Sequence, residues 1–299
     1  MPLRYRQDPG DRLVIAEVLV NNIYLKEFLW PFLDQHGIVI DVGAHIGLFT
    51  VQAYRLLRPR MILAVEPEIS NFTYLIQNIR EEYGLEAVSR AFQVALWDRL
   101  GEKPLFLQDG NTGGASLIME KSEKEGAKST REELVSVKTL DSLLEEVCLS
   151  AEPIMLLKID AEGSEVSILR GASKTLERTA VIVGEAHEGV ANSEDLRVLL
   201  SSFLLVFGEA FLPLRIRTFW AVNKRFLESN AREIQRFLRD APVSDREDLL
   251  WRLNETNKSF ERQAATCLPA FDRVVPSSSS RPFAPFKKLR TMMSKLYKR

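Results

Sequence analysis

Short apolar runs alternate along this chain with segments whose hydrophobic residues recur at helical spacing. Runs of this length that are bounded by turn residues are typical of buried strands, and the segments between them are typical of amphipathic helices. The pattern predicts strands over residues 39–41, 61–66, 90–96, 134–138, 154–160 and 180–185. It predicts helices over residues 68–83, 139–146, 164–178 and 193–202, and a terminal β-hairpin from 204–207 and 215–222. This alternation predicts an α/β fold with a doubly wound, mostly parallel seven-stranded sheet.

The less regular segments suggest further local structure and a domain plan. Residues 96–107 predict a local hairpin that turns at 98–101, and the Gly- and Ser-rich residues 108–131 predict a loop. We divide the chain into a helical and strand lead-in at 1–36, a cofactor-binding domain at 37–223 and a C-terminal helical extension at 224–275. A flexible linker with a basic amphipathic tail occupies 276–299.

A glycine turn follows the first strand. The chain runs Asp41-Val-Gly-Ala-His-Ile-Gly47, and Gly43 and Gly47 allow a tight turn and a close approach to a ligand. We expect backbone N–H groups of the turn to face that ligand. The spacing D-x-G-x-x-x-G, with Ala44 and His45 between the glycines, differs from the dinucleotide fingerprint G-x-G-x-x-G. It suggests S-adenosylmethionine (AdoMet) as the cofactor.

An acidic residue closes the second strand. A carboxylate at Glu66, next to the glycine turn in a doubly wound sheet, can accept both hydroxyls of a ribose. The alternative is that Asp41 and Glu66 only end their strands and cap the helices that follow. Ala95, within residues 94–98, is a further candidate cofactor contact.

Acidic residues and a histidine follow the two later strands. The chain reads Lys158-Ile-Asp-Ala-Glu-Gly-Ser-Glu165 and then Gly184-Glu-Ala-His187. Ligands of open α/β sheets bind outside the carboxyl ends of the strands, so we expect Asp160 and Glu185 to lie near Asp41 and Glu66.

These motifs together resemble the FkbM family of AdoMet-dependent methyltransferases. The resemblance rests on residues 158–165, on the glycine turn 41–47 and on Val65-Glu-Pro67, and it extends over residues 39–188. The segment 111–117 also resembles the small-residue loop of that family. The resemblance implies a class I, Rossmann-like methyltransferase that acts on a hydroxyl of a sugar, polyketide or other small metabolite.

Methyl transfer to a hydroxyl needs a positioned acceptor and a group that takes its proton. Asp160 could orient the methionine end of AdoMet, act as the base, or bind a divalent metal such as Mg²⁺. His187 is a second candidate base, and Glu162 and Glu185 are expected around the acceptor. Glu162 and Glu165 could instead favour only the start of the next helix.

Composition and charge indicate the expected partners. The chain has 45% hydrophobic and 27% charged residues and a net charge of −1, so no affinity for nucleic acid is expected. Two cysteines far apart suggest neither a disulfide framework nor a zinc site. With no export signal and no long uncharged apolar run, we expect a cytoplasmic enzyme.

The last 19 residues differ in character from the rest. Residues 281–299 carry seven basic side chains and no acidic one. As a helix they would suit an anionic membrane surface or an acidic partner, which predicts peripheral membrane contact. The alternatives are that the tail docks on its own protein or stays disordered.

Two other functions stay open at this stage. One is a non-catalytic interaction module with an AdoMet-binding fold, and intact Gly43, Gly47, Glu66 and Asp160 argue against it. The other is a methyltransferase with a nitrogen acceptor. It is disfavoured because the chain lacks the Asn/Asp-Pro-Pro-aromatic tetrapeptide of amino-methylating enzymes.

Overall fold

The computed structural model describes residues 3–33, 37–108, 111–118, 130–187, 193–208 and 216–227. The helices are α1 (Pro9–Val14), α2 (Leu48–Leu57), α3 (Ile69–Glu81), α4 (Leu140–Glu146), α5 (Glu165–Arg170), α6 (Ser173–Glu177), α7 (Ser193–Leu199) and α8 (Lys224–Leu227). The strands are β1 (Ile38–Val42), β2 (Met61–Val65), β3 (Ser89–Phe92), β4 (Ala95–Leu96), β5 (Gly101–Gln108), β6 (Asn111–Ser116), β7 (Thr130–Lys138), β8 (Ile154–Ile159), β9 (Thr179–His187), β10 (Phe203–Phe207) and β11 (Ile216–Asn223).

Seven strands form the main sheet, in the order β3-β2-β1-β8-β9-β11-β10. Neighbouring strands from β3 to β9 are parallel, whereas β11 runs antiparallel to both β9 and β10. The predicted mostly parallel seven-stranded sheet with a terminal β-hairpin is therefore confirmed. The strand order reverses direction at β1, so β1 and β8 flank the switch point where ligands of open α/β sheets bind.

The central strands are buried along their whole length. Every residue of β1, β8, β9 and β10 is buried, which explains why these strands read as nearly continuous apolar runs. The titratable side chains in these strands lie at or near the carboxyl ends. They are Asp41, Lys158, Glu185 and His187.

A second sheet of four strands corrects two local predictions. Its order is β4-β7-β5-β6, so the expected hairpin over residues 96–107 is wrong: β7 lies between β4 and β5 and pairs with both. The strand predicted over 90–96 is also divided, because β3 ends at Phe92 in the main sheet and β4 joins the second sheet. Part of the predicted loop 108–131 is a strand, since β6 pairs with β5.

The single helix predicted over residues 164–178 is two helices, α5 and α6. The break falls at Gly171, whose N–H donates to the carbonyl oxygens of Ser167 and Ile168 and so ends α5. The chain there lies against the backbone of Trp97, where a side chain at Gly171 would overlap the Trp97 carbonyl oxygen. Helical spacing in the sequence continues across this break and conceals it.

Several predictions lie outside the described residues. They concern the basic tail, the linker and all but Lys224–Leu227 of the C-terminal extension. Within the described part of the chain, no helix combines the length and apolar character needed to span a bilayer.

Candidate active site

The glycine turn links β1 to α2, as the sequence predicts. Gly43 and Gly47 have φ values of 70° and 85°, a region that favours glycine, and His45 joins them at 51°. A side chain at Gly43 would overlap the carbonyl oxygen of Asp160, so the turn packs directly on the chain that leaves β8. Glycine is therefore needed at Gly43 for a contact within the protein.

The expectation that the N–H groups of this turn face a ligand is wrong for four of them. The N–H groups of Gly43 and Ala44 both donate to the carbonyl oxygen of Val65, at 3.0 Å each. The Gly47 N–H donates to the carbonyl oxygen of Ala44. The His45 N–H donates to Glu66 Oε2 at 2.8 Å. These hydrogen bonds join the turn to the end of β2.

Glu66 follows β2 and is buried, with 4% of its surface exposed. In addition to the His45 bond, its Oε1 accepts the N–H of Glu68 at 3.0 Å and the side-chain amide of Asn71 at 3.4 Å. Burial raises the pKa of Glu66 to about 7, against the opposing effect of these donors. A carboxylate has about four lone-pair sites, so one remains for a ligand and the long Asn71 contact is the weakest of the three.

A buried lysine joins the ends of β1 and β8. Lys158 lies opposite Asp41 in the parallel register, and its Nζ is 3.3 Å from Asp41 Oδ1 and 3.6 Å from Asp160 Oδ2. The ammonium also donates to the carbonyl oxygen of Gly43 at 2.7 Å. Burial lowers the pKa of Lys158, but Asp41 and Asp160 outweigh that effect and leave it raised. Lys158 is therefore a cation in the folded protein.

The same interaction accounts for Asp41. Its side chain is fully buried, its Oδ2 accepts the hydroxyl of Thr50 at 2.6 Å, and its Oδ1 faces Lys158. Asp41 thus binds β1 to α2 and β8. Asp41, which the sequence predicts as a cofactor contact, therefore has a structural role within the protein.

The predicted catalytic residues meet at the carboxyl ends of β8 and β9, and we call them the acceptor-side cluster: Asp160, Glu162, Glu185 and His187. Ligand atoms of Asp160, Glu185 and His187 lie within 4.8 Å of one another. Glu185 and His187 share one face of β9 because side chains alternate along a strand. Nε2 of His187 is 3.4 Å from Glu162 Oε2. The cluster offers carboxylate oxygens and an imidazole, which can bind hydroxyl groups, take a proton or hold a divalent cation.

The N-terminal segment adds residues to the site that the sequence analysis missed. The Tyr24 hydroxyl donates to Asp160 Oδ2 at 2.9 Å, and its ring packs edge-on against Phe49. Glu17 also faces the cluster: burial raises its pKa well above the usual value, and the charges of Glu185 and Asp160 add to this shift. No local pattern in the sequence marks either residue. The hydrogen bond between Tyr24 and Asp160, for example, joins positions 136 residues apart.

Arg6 and Asp11 lie over the glycine turn. Arg6 donates to Asp11 Oδ1 at 2.8 Å and to Asn71 Oδ1 at 2.6 Å, and Asp11 Oδ1 lies 3.5 Å from His45 Nε2. Burial lowers the pKa of His45 to about 4, so this histidine is neutral near pH 7. The Asp8-Pro9 start of α1 is a recognisable helix signal, since Asp8 caps the helix, but it does not show where α1 packs.

Ala95 occupies a different environment. It lies on β4 of the second sheet, and its buried side chain packs with Leu105, Leu117 and Val137. Its expected contact with the cofactor stays a prediction.

The strand order 3-2-1 followed by the later parallel strands and a reversed final strand, with a glycine turn after β1 and an acid after β2, defines a class I methyltransferase. The family model of the methyltransferase FkbM domain matches residues 41–211, more than half of the chain. The chain therefore belongs to the FkbM methyltransferase family. The predicted membership of this family is confirmed, and the family implies AdoMet as the cofactor.

The chain is also similar to two curated relatives and to a solved structure. The chain is 29% identical over 163 residues to Methyltransferase sdnD of Sordaria araneosa, which covers 48% of this chain and 62% of that protein. It is 28% identical over 151 residues to Methyltransferase 1 of Beauveria bassiana, covering 47% and 60%. The match thus spans about three fifths of the curated relatives. The crystal structure of methyltransferase FkbM from Methylobacillus flagellatus has 14% identity, a TM-score of 0.47 and coverage of 69% of this chain and 50% of that chain.

Replacing Lys158 by methionine tests the link between β1 and β8. Lys158→Met keeps the apolar stem but leaves the fully buried Asp41 without its cation. Breaking a buried ion pair by removing one partner costs about 3–5 kcal/mol. We expect a fall of that size in the free energy of unfolding, measured by urea denaturation.

The matched control is Lys174→Met, which removes a lysine whose ion pair with Glu145 is exposed. This variant is expected to unfold like the wild type, because exposed pairs contribute little. Equal stabilities for the two variants would show that Lys158 does not hold the strand ends together.

Proposed function

We propose that this chain is an AdoMet-dependent O-methyltransferase whose acceptor is a hydroxyl of a sugar, polyketide or other small metabolite, free or within a glycan. The observation that supports this proposal is the convergence of Asp160, Glu185 and His187 within 4.8 Å. They stand at the same sheet edge as the glycine turn and Glu66. A hydroxyl is a weak nucleophile that needs a nearby base, and this cluster supplies one.

The contacts of each residue in the acceptor-side cluster suggest its role. AdoMet, when bound, would supply a methyl group on its sulfonium, and the sulfur would keep the electron pair of the S–CH₃ bond on transfer to the hydroxyl oxygen. His187 takes the hydroxyl proton on a ring nitrogen. Asp160 faces Lys158 and accepts the Tyr24 hydroxyl, and these two contacts position it to orient the acceptor by accepting a hydrogen bond. Glu162 and Glu185 are acceptors for further hydroxyls.

Positioning accounts for much of the expected rate. Tyr24 and Lys158 hold Asp160 from two sides, and Asp160 follows directly on a fully buried strand. A rigid acceptor site reduces the entropy cost of bringing the two reactants together. A nitrogen acceptor has no feature of the described site in its favour, since a neutral amine attacks without a base.

Removing either proposed group should abolish most turnover while the fold remains. Asp160→Asn and His187→Gln are each expected to lower kcat by about 10²–10⁴-fold, the usual contribution of a positioned acid or base. The measurement is transfer of a labelled methyl group from AdoMet to a panel of methyl glycosides and polyhydroxylated phenols. A parallel panel of primary amines tests the nitrogen acceptor.

Glu177→Gln, an exposed glutamate on α6, is the control and should keep wild-type activity. Full activity of Asp160→Asn and His187→Gln at saturating acceptor would remove these residues from the mechanism. Transfer to amines with none to hydroxyls would overturn the O-methyltransferase proposal.

Glu66 is proposed to bind the ribose hydroxyls of AdoMet, one of which replaces the Asn71 amide as a donor to Oε1. Glu66→Gln should weaken AdoMet binding about tenfold, because a charged acceptor is lost. In the wild type the affinity should rise as the pH increases through about 7, where Glu66 ionises, and calorimetry should show no such rise in Glu66→Gln. The same affinity and pH dependence in both proteins would place the ribose elsewhere.

The possible magnesium requirement has its own test. One imidazole and two carboxylates form a ligand set that a divalent cation can use, and they lie within 4.8 Å of one another. With His187 as the base, turnover is expected to survive dialysis against EDTA. Loss of turnover that returns with Mg²⁺ would instead assign the acceptor-side cluster to a cation.

A further inference from the structure

Glu165 is a buried carboxylate that the mechanism above does not use. It is the first residue of α5, and none of its surface is exposed. Its Oε1 accepts the N–H groups of Ala161 at 3.1 Å and Gly163 at 3.0 Å. These bonds attach the carboxylate to the loop that follows Asp160, so its position relative to the acceptor-side cluster is set by the backbone.

The same oxygen lies beside His187. Oε1 of Glu165 is 3.2 Å from His187 Nδ1, and only 4% of the histidine side chain is exposed. Burial raises the pKa of Glu165, but His187 and the backbone N–H groups of Glu165 itself and Gly163 outweigh it and leave the pKa lowered, so the group is a carboxylate. A carboxylate can only accept, so a ring nitrogen that faces it is stabilised with a hydrogen. The fully buried Glu165 at 3.2 Å favours this hydrogen on Nδ1 more strongly than the partly exposed Glu162, at 3.4 Å, favours it on Nε2.

We propose that Glu165 is a positioning residue that holds His187 in the tautomer with its hydrogen on Nδ1 and leaves Nε2 to accept the proton of the acceptor hydroxyl. This inference rests on the proposed function, in which His187 is the base. A fixed carboxylate on one ring nitrogen sets both the tautomer and the orientation of the ring.

The proton has a defined route in this arrangement. As the O–CH₃ bond forms, the hydroxyl proton moves to Nε2, and the resulting imidazolium is balanced by the ionised Glu165. Glu162 Oε2 lies 3.4 Å from Nε2, and 26% of the Glu162 side chain is exposed. Glu162 can therefore take the proton from Nε2 and pass it to water, which restores the neutral ring.

Nuclear magnetic resonance of the imidazole nitrogens tests the tautomer directly. The chain contains three histidines, so a ¹⁵N-histidine-labelled protein gives few ring signals, and His187→Gln identifies those of His187. At a pH where the ring is neutral, we expect protonated Nδ1 and unprotonated Nε2. Hydrogen on Nε2 in the wild type would overturn the proposal. Neither AdoMet nor an acceptor is needed, so this result is independent of the proposed methyl transfer.

Variants at Glu165 provide the second readout. Glu165→Gln keeps an oxygen for the N–H groups of Ala161 and Gly163 but loses the charge. We expect it to lower kcat about 10–100-fold with the KM for AdoMet within about twofold, and Glu165→Asp to recover part of the loss. The acceptor is the most active hydroxyl compound of the panel, and Glu177→Gln is again the control.

A double variant separates positioning from a structural role. If Glu165 acts through His187, adding Glu165→Gln to His187→Gln should cause no further loss of kcat, since both changes remove the same function. Additive losses, or a raised KM together with a fall in thermal stability, would mean that Glu165 only supports the loop. An O-methyltransferase with additive losses would overturn this inference while leaving the proposed function intact.

Discussion

The interaction between Lys158 and two carboxylates sets the geometry of the whole site. One buried ammonium lies 3.3 Å from Asp41 on β1 and 3.6 Å from Asp160, which follows the adjacent parallel strand β8. It also donates to the carbonyl oxygen of Gly43 at the start of the glycine turn. Without a cation at this point, a charged Asp41 would be buried in a fully apolar strand at a large desolvation cost. The lysine therefore compensates the charge of Asp41 at the switch point, where the glycine turn meets the carboxyl end of β8.

The N-terminal segment completes this edge. Tyr24 donates to Asp160, while its own carbonyl accepts the indole N–H of Trp220 on β11 at 3.2 Å. Phe28 packs edge-on against the same tryptophan, so the segment is held on the reversed strand of the sheet. Residues from the first 30 positions thus reach the centre of a domain whose family match begins at residue 41. The proposed acceptor site is therefore shaped in part by residues outside that match.

The sequence predicts the main sheet and the convergence of the acceptor-side cluster well, because buried parallel strands and acids at their ends leave strong local patterns. It fails at β4 and β5, where a two-residue strand and a partner far along the chain leave no period to detect. The sequence analysis misses Tyr24, Arg6 and Asp11 because their roles come from tertiary contacts. The N–H groups of the glycine turn were misassigned because the sequence does not show that Val65 and Glu66 already accept them.

The acidic residues of the site are not equivalent anions. Burial raises the pKa of Glu66 to about 7 and that of Glu17 well above its usual value, whereas contacts with His187 and backbone N–H groups lower that of Glu165. The burial and the contacts of each acid therefore determine its charge more than the number of acids nearby does. The raised pKa makes Glu17 the acid of this edge that most readily keeps a donor hydrogen, and a hydroxyl both donates and accepts. An edge that offers both kinds of partner suits a polyhydroxylated acceptor better than a simple cation, which needs acceptors alone.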